Sequence, residues 1–191
     1  MLLPARNILL TGILALAVAA PSAAASPFTE NDYWSYADRM QLRLDSTWDA
    51  KAGRYRPGGG GTDSMVNADM LVTHSLAALN GHDGAARNDA RARSIARALV
   101  TDAYTTTKPR LGKASHRHAP GWTNSMHGSG EQHMVYDAAV AEGLAQAFRA
   151  REELDLPEST VELIVDRVRA VAAGSYWRYP ALKLNQINWY A

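Results

Sequence analysis

The run Ser64–Asn80, SMVNADMLVTHSLAALN, is followed directly by Gly81. Met65, Ala68, Leu71, Val72, Leu76 and Leu79 recur at intervals of three and four, the spacing of one helical face. Ala77 and Ala78 widen that face beyond a single stripe, which predicts a helix buried on more than one side. Gly81 supplies the stop, because glycine takes the left-handed conformation that closes a helix. The turns on either side contrast sharply. Upstream lies Trp48–Thr62 with Pro57 and four consecutive glycines, Gly58 to Gly61, which cost too much backbone entropy for a helix. Downstream is only the short link Gly81–Gly84.

The same alternation continues outward. Asn31–Ser46 reads as a first helix, with Thr29 and Asp32 at capping-box spacing and Tyr33, Tyr36, Ala37, Met40 and Leu44 as its apolar stripe. Ala85–Thr101 reads as a third, its Arg87, Asp89, Arg91, Arg93 and Arg97 alternating with apolar residues as on an outer helix with one wet face. A long irregular connection, Tyr104–Gly130, leads to a fourth helix over Glu131–Leu154. Asp155-Leu156-Pro157 turns the chain into a fifth, which ends near Gly174, with Pro157 in its first turn. Ser175–Leu184 then leads to Asn185–Ala191, the opening of a sixth. No stretch alternates with period two over a useful length. The expected class is all-α: antiparallel helical hairpins with long connections at one end and short returns at the other.

Composition narrows the function. Arg6, the uncharged apolar run Ile8–Ala20 and Ala23-Ala24-Ala25 before Ser26 have the order of a cleavable secretory signal, so residues 1–25 are set apart. The apolar run is too short to span a bilayer, and no membrane contact is expected after cleavage. Without Arg6, 19 of the 20 basic residues remain against 19 acidic ones. That balance argues against nucleic acid, whose binding needs a surplus of cations. The chain has no cysteine, so stability in the oxidising exterior must come from packing. Gly58–Gly61 is not a phosphate loop, since no GK[ST] follows and no strand precedes it.

Polar and aromatic residues gather where the even-numbered helices begin. Asp63, Asn67 and Asp69 enter the second helix. His116, His118, Trp122, Asn124, His127, Glu131 and His133 enter the fourth. Tyr176, Trp177, Tyr179, Asn185, Gln186, Asn188, Trp189 and Tyr190 enter the sixth. In antiparallel hairpins these three groups emerge at one end and meet around one mouth. Helix N-termini there add free N–H donors for a carboxylate or developing anion. Four of the six histidines lie between His116 and His133, and histidine moves protons readily near neutral pH. His127 or His133 is the candidate base, with Asn124, Asn188 and Tyr190 among the polar groups beside it. In a hydrolase the carboxyl pair is Asp69 and Glu131, with Asp63 as alternate. Asn67, Trp122, Trp177, Asn188 and Trp189 are candidate substrate-binding residues. Each has a structural alternative: Asp63 as a cap, Glu131 as a first-turn acid, the histidines as solvated loop residues, the indoles as core. Trp34, within the first helix, reads as core. His116 and His118, two apart, and Glu131 with His133 have no known ligand spacing, so no metal or other cofactor is expected.

This alternation of outer helix, long connection and inner helix resembles the (α/α) toroid of six-hairpin glycosidases and polysaccharide lyases. Asn188-Trp189-Tyr190 is similar to the Asn-Trp-Trp segment of hyaluronate and chondroitin lyases, in which an asparagine and an aromatic patch contact the uronic-acid chain. The resemblance covers most of residues 26–191 as a pattern and only that tripeptide as a motif. The Glu-Ile-Gly that follows in those lyases is missing here, and the histidine-rich loop matches no signature of theirs. The resemblance implies part of a toroid, a fragment lacking later hairpins, with polysaccharide or oligosaccharide as partner. It implies a lyase in which His127 or His133 is the base, Asn124 or Asn188 neutralises the uronate carboxylate and Tyr190 is the acid, or else a six-hairpin hydrolase or a non-catalytic carbohydrate-binding or scaffold protein. An incomplete toroid leaves an exposed edge, which predicts self-association.

Overall fold

The computed structural model describes residues 28–56, 64–105, 120–122 and 134–175. Among them the chain forms five α-helices: α1 Glu30–Leu44, α2 Ser64–Leu79, α3 Asp89–Asp102, α4 Met134–Arg149 and α5 Glu158–Ala170. The class is all-α. Two ladders too short to give a periodic signal interrupt the connections. Trp48–Asp49 (β1) pairs antiparallel with Arg54–Tyr55 (β2), and Tyr104–Thr105 (β3) with Pro120–Gly121 (β4). No described helix is long and apolar enough to cross a membrane.

Local chemistry sets the helix ends. The Thr29 hydroxyl accepts the Asp32 N–H at 3.3 Å, and the Asp32 carboxylate accepts the Thr29 N–H at 2.8 Å. This is the expected capping box, with aspartate in the glutamate position. At the far end of α2, Gly81 has φ +65°. Its N–H reaches the Ala78 carbonyl at 3.1 Å and the His82 N–H reaches Ala77 at 2.9 Å, the two bonds of a Schellman closure. Two boundaries differ from those the sequence predicts. Helix α3 begins at Asp89, because the Asn88 side chain caps the Arg91 N–H at 3.0 Å. Helix α4 ends at Arg149, and the turn after it closes on Asp155, a non-glycine residue at φ 49°. Helix α5 follows Pro157 and runs on into a wider π-turn, Val171–Ser175.

Helix α2 is buried on several sides, as its wide apolar face predicts: Ala68, Met70, Leu71, His74, Ala77 and Ala78 are all enclosed. It packs most intimately on α4. A Cβ at Gly143 would lie 2.9 Å from the Ala68 carbonyl oxygen, so a glycine is what lets the two backbones approach this closely. Ile95 and Leu99 of α3, Val140 and Leu144 of α4, Leu154 and Ile164 complete one continuous core around Leu71. Helices α2 and α4 are the inner pair; α3 and α5 flank them.

Helix α1 departs from expectation. Only the end of its stripe reaches the core, where Leu44 packs against it; Tyr33 and Tyr36 are exposed, and the one fully buried residue of α1 is Gln41. Ala37, Met40 and Leu44 line a groove of about 420 Å³ shared with Val66, Asp69, Met70 and Thr73 of α2. What attaches α1 is polar. The Asp38 carboxylate accepts the Ala86 N–H at 2.7 Å and meets His82 Nε2 at 2.9 Å, and the His82 ring stacks on half-buried Trp34 at 4.5 Å. Burial opposes the charge on Asp38, but the bonds from His82 and Ala86 outweigh it and hold the carboxyl below its ordinary range.

Gly84 makes this clamp possible, since a Cβ there would collide with both Asp38 oxygens and His82 Nε2. Gly84→Ala must displace the tips of the Asp38 and His82 side chains and is expected to destabilise the fold by about 0.5–1.5 kcal/mol, the worth of the hydrogen bond disturbed. Urea denaturation followed by tryptophan fluorescence measures this. An unchanged midpoint would mean the clamp contributes nothing.

Candidate functional site

The residues flanking the three long connections meet at one end of the helices. At the first connection, Asn67 in the opening turn of α2 is buried and clips the incoming strand. Its Oδ1 accepts the Tyr55 N–H at 2.8 Å and its Nδ2 donates to the Tyr55 carbonyl at 2.9 Å. The neighbouring Arg54 pairs with Asp102, the last residue of α3. The start of α2 and the end of α3 are thus side by side.

The second connection leaves from that same point and returns at β4. Trp122 follows β4, buried to 1 % exposure, with its indole N–H donating to the Leu99 carbonyl at 2.8 Å. Leu99 is among the last four residues of α3, whose carbonyls lack partners within the helix. Trp122 satisfies one, and Arg167 Nε of α5 satisfies the next, Val100, at 3.3 Å. The Trp122 backbone N–H goes to Asp137 Oδ1 at 3.2 Å, in the first turn of α4. The third connection begins at the π-turn after α5, which packs against both α4 and β4.

Of the candidate residues, Asn67, Asp69 and Trp122 are described. Asn67 and Trp122 lie at this end, and both point into the protein. The Asn67 amide is committed to the Tyr55 backbone, and the Trp122 ring is core, presenting no face to a ligand. Asp69 is exposed and faces the α1–α2 groove. The structure does not bring these three into one cluster. Asp63, His116, His118, Asn124, His127, Glu131, His133, Trp177, Asn188, Trp189 and Tyr190 lie outside the described residues.

Asp137 escaped the sequence reading. It is fully buried, and a buried carboxylate is costly unless its oxygens are bonded. A signal was present. Asp137, Val140, Leu144 and Ala147 are spaced three, four and three apart, which puts an acid on the inward stripe of α4.

A second polar cluster ties the first connection to the inner helices. The Tyr55 hydroxyl, fully buried, meets Gln41 Nε2 at 2.8 Å, Arg91 Nη1 at 3.1 Å and His74 Nε2 at 3.3 Å. His74 Nδ1 lies 2.7 Å from the Ala86 carbonyl. That oxygen can only accept, so Nδ1 carries the hydrogen and Nε2 offers a lone pair to the tyrosine. Tyr55 then accepts from Gln41 Nε2 and Arg91, and its one hydrogen has two acceptors in reach, His74 Nε2 and Gln41 Oε1 at 3.1 Å. Arg91 also pairs with Asp45 at 2.6 Å and lies over the Trp48 ring at 4.8 Å. The cluster ties β2 to α1, α2 and α3.

Among the described residues no three histidine, aspartate or glutamate side chains are grouped as metal ligands. No protein-family model, curated protein or solved structure matches the chain.

Proposed function

We propose that the protein is secreted and acts on extracellular polysaccharide, as a lyase that cleaves a uronic-acid polymer at the end where the long connections meet. The carrying observation is the anchor at Trp122. Trp122 lies between His118 and His127 in the sequence, and its bonds to Leu99 and Asp137 fix that one point of the chain between the end of α3 and the start of α4. The pairing of inner α2 with inner α4 is also the arrangement that a toroid would have.

In the proposed reaction His127 or His133 removes the proton from C5 of the uronate. The electron pair forms the C4–C5 double bond, the C4–O bond breaks, and the leaving oxygen takes a proton from Tyr190. Asn124 or Asn188 neutralises the carboxylate, and Trp177 and Trp189 stack on sugar rings. Hydrolysis is the second reading. It rests on the pair Asp69 and Glu131, with Asp63 as alternate; Asp137 at the same end is fully buried and bonded to the Trp122 N–H, so it does not serve. The observation that favours hydrolysis is Asp69, an exposed carboxylate facing the α1–α2 groove.

Incubation with a panel of polyuronates distinguishes these. Elimination leaves an unsaturated, ultraviolet-absorbing sugar; hydrolysis leaves only new reducing ends; a binding protein leaves the polymer intact. For the lyase, replacing the base, by His127→Ala or His133→Ala, should lower kcat about 10²–10⁴-fold with an unchanged helical circular dichroism spectrum. Full turnover in both variants would remove histidine from the mechanism.

A further inference from the structure

The turn between β1 and β2 is built onto the outer face of α3. The Asp49 carboxylate accepts the N–H groups of Lys51 and Ala52 at 3.0 and 2.9 Å, and the Gly53 N–H closes on the Asp49 carbonyl at 2.8 Å. Gly53 has φ +65°, which favours glycine, and a Cβ built there would rest 3.4 Å from Ser94 Cβ. Turn and helix enclose a pocket of about 340 Å³ lined by Lys51, Arg54, Ser94, Arg97, Thr101 and Asp102. Ligand sites commonly begin at about 300 Å³.

Its charge is unbalanced. Arg54 is paired with Asp102. Lys51 and Arg97 are both exposed and, among the described residues, neither side chain has a carboxylate within ion-pair distance. Lys51 feels only the field of Asp49, which is itself paired with Arg56, so the pocket carries a surplus of positive charge beside a serine hydroxyl. It lies along the stretch of α3 that ends at Asp102, beside the end where the long connections meet.

We infer that this pocket is an anion subsite for the carboxylate of an acidic sugar, accessory to the proposed cleavage site; the choice of a sugar rests on the carbohydrate reading above. The guanidinium fork of Arg97 suits a planar carboxylate, and Lys51 adds a point charge on a flexible stem. The pocket is fixed before binding, because Asp49 and Gly53 hold the turn.

Titration calorimetry tests this with an oligogalacturonate, its fully methyl-esterified form and a single-stranded DNA. The intact chain is compared with Lys51→Ala/Arg97→Ala, whose side chains are exposed and not needed for folding. The intact chain should bind the oligogalacturonate and lose affinity as salt is raised. It should bind the ester and the DNA much more weakly. The double variant should bind the acidic oligomer about tenfold more weakly, a difference of about 1.4 kcal/mol. Equal binding by the variant, or equal binding of ester and acid, overturns the subsite and leaves the carbohydrate reading standing. Preference for DNA, or no binding of any oligogalacturonate, overturns both.

Discussion

Trp122→Ala is expected to reduce the unfolding free energy by about 3–5 kcal/mol, the range for removing a buried large aromatic. The ring is buried among the core side chains, so truncation leaves a cavity that the packed helices fill only in part. The loss extends to hydrogen bonding, because the Leu99 carbonyl at the end of α3 would lose the donor that satisfies it. Trp122→Phe separates the two contributions. It retains an aromatic body and deletes the N–H, and should cost about 1–3 kcal/mol. Guanidinium denaturation of the two variants gives both numbers. The experiment also decides what this indole is for. A sugar-stacking indole would be dispensable for folding, so a Trp122→Ala protein of undiminished stability and impaired glycan binding would refute the packing role.

How far the sequence carries the fold varies from element to element. The extent of helix α2 was legible, since Met65 to Leu79 repeats at three and four and Gly81 can adopt the closing conformation. Its deepest face was not: Met65, Val72, Leu76 and Leu79 are only partly buried, while Asn67, Met70, His74 and Ser75 are enclosed. The Thr29–Asp32 box and the turn at Pro157 were legible because their chemistry is local. Helix α1 was not. Its stripe of tyrosines, Met40 and Leu44 establishes amphipathicity, but periodicity does not say which surface will cover a stripe. The helix is held instead through Asp38 and Gln41, whose partners His82 and Tyr55 are distant in sequence. The end of α4 was misplaced because Leu154 continues the apolar pattern, while the turn rests on Asp155 at positive φ, which no residue type advertises. The site followed the same division. Trp122 and Asn67 were placed at the correct end by connection length alone. That both turn inward depends on the carbonyl of Leu99 and the backbone of Tyr55, which no spacing rule reaches. Asp137 could have been found, as an acid on an inward stripe.

The second large effect is expected at Tyr55, where stability and pH response arise from one cluster. Tyr55→Phe keeps the ring and removes the hydroxyl, stranding buried His74 Nε2 and Gln41 Nε2 together. Each orphaned group costs about 1–3 kcal/mol, so the variant should lose about 2–6 kcal/mol. Arg91 is less affected, because Asp45 still accepts from it. The same enclosure fixes the charge on His74. Burial above all pushes its imidazole below the ordinary value of 6.5, and the nearby Arg91 cation acts in the same direction; the Ala86 bond and Asp89 only partly oppose them. The folded protein therefore keeps His74 neutral where the unfolded chain has begun to bind a proton. Stability from this group is complete above pH 6.5 and declines as pH falls from there toward the lower folded value, by at most about 1.4 kcal/mol per pH unit. The carboxylates held low by their bonds, Asp38 and Asp49, respond only in more acidic solution, below their ordinary value of 3.8. Urea midpoints of the native chain and of His74→Gln, measured from pH 7.5 down to about pH 5, isolate the histidine. The variant should be less stable at pH 7.5, and the gap should narrow as the solution is acidified. A gap that stays constant or widens would mean that His74 is charged in the folded protein, and the proton assignment linking Ala86, His74 and Tyr55 would have to be reversed.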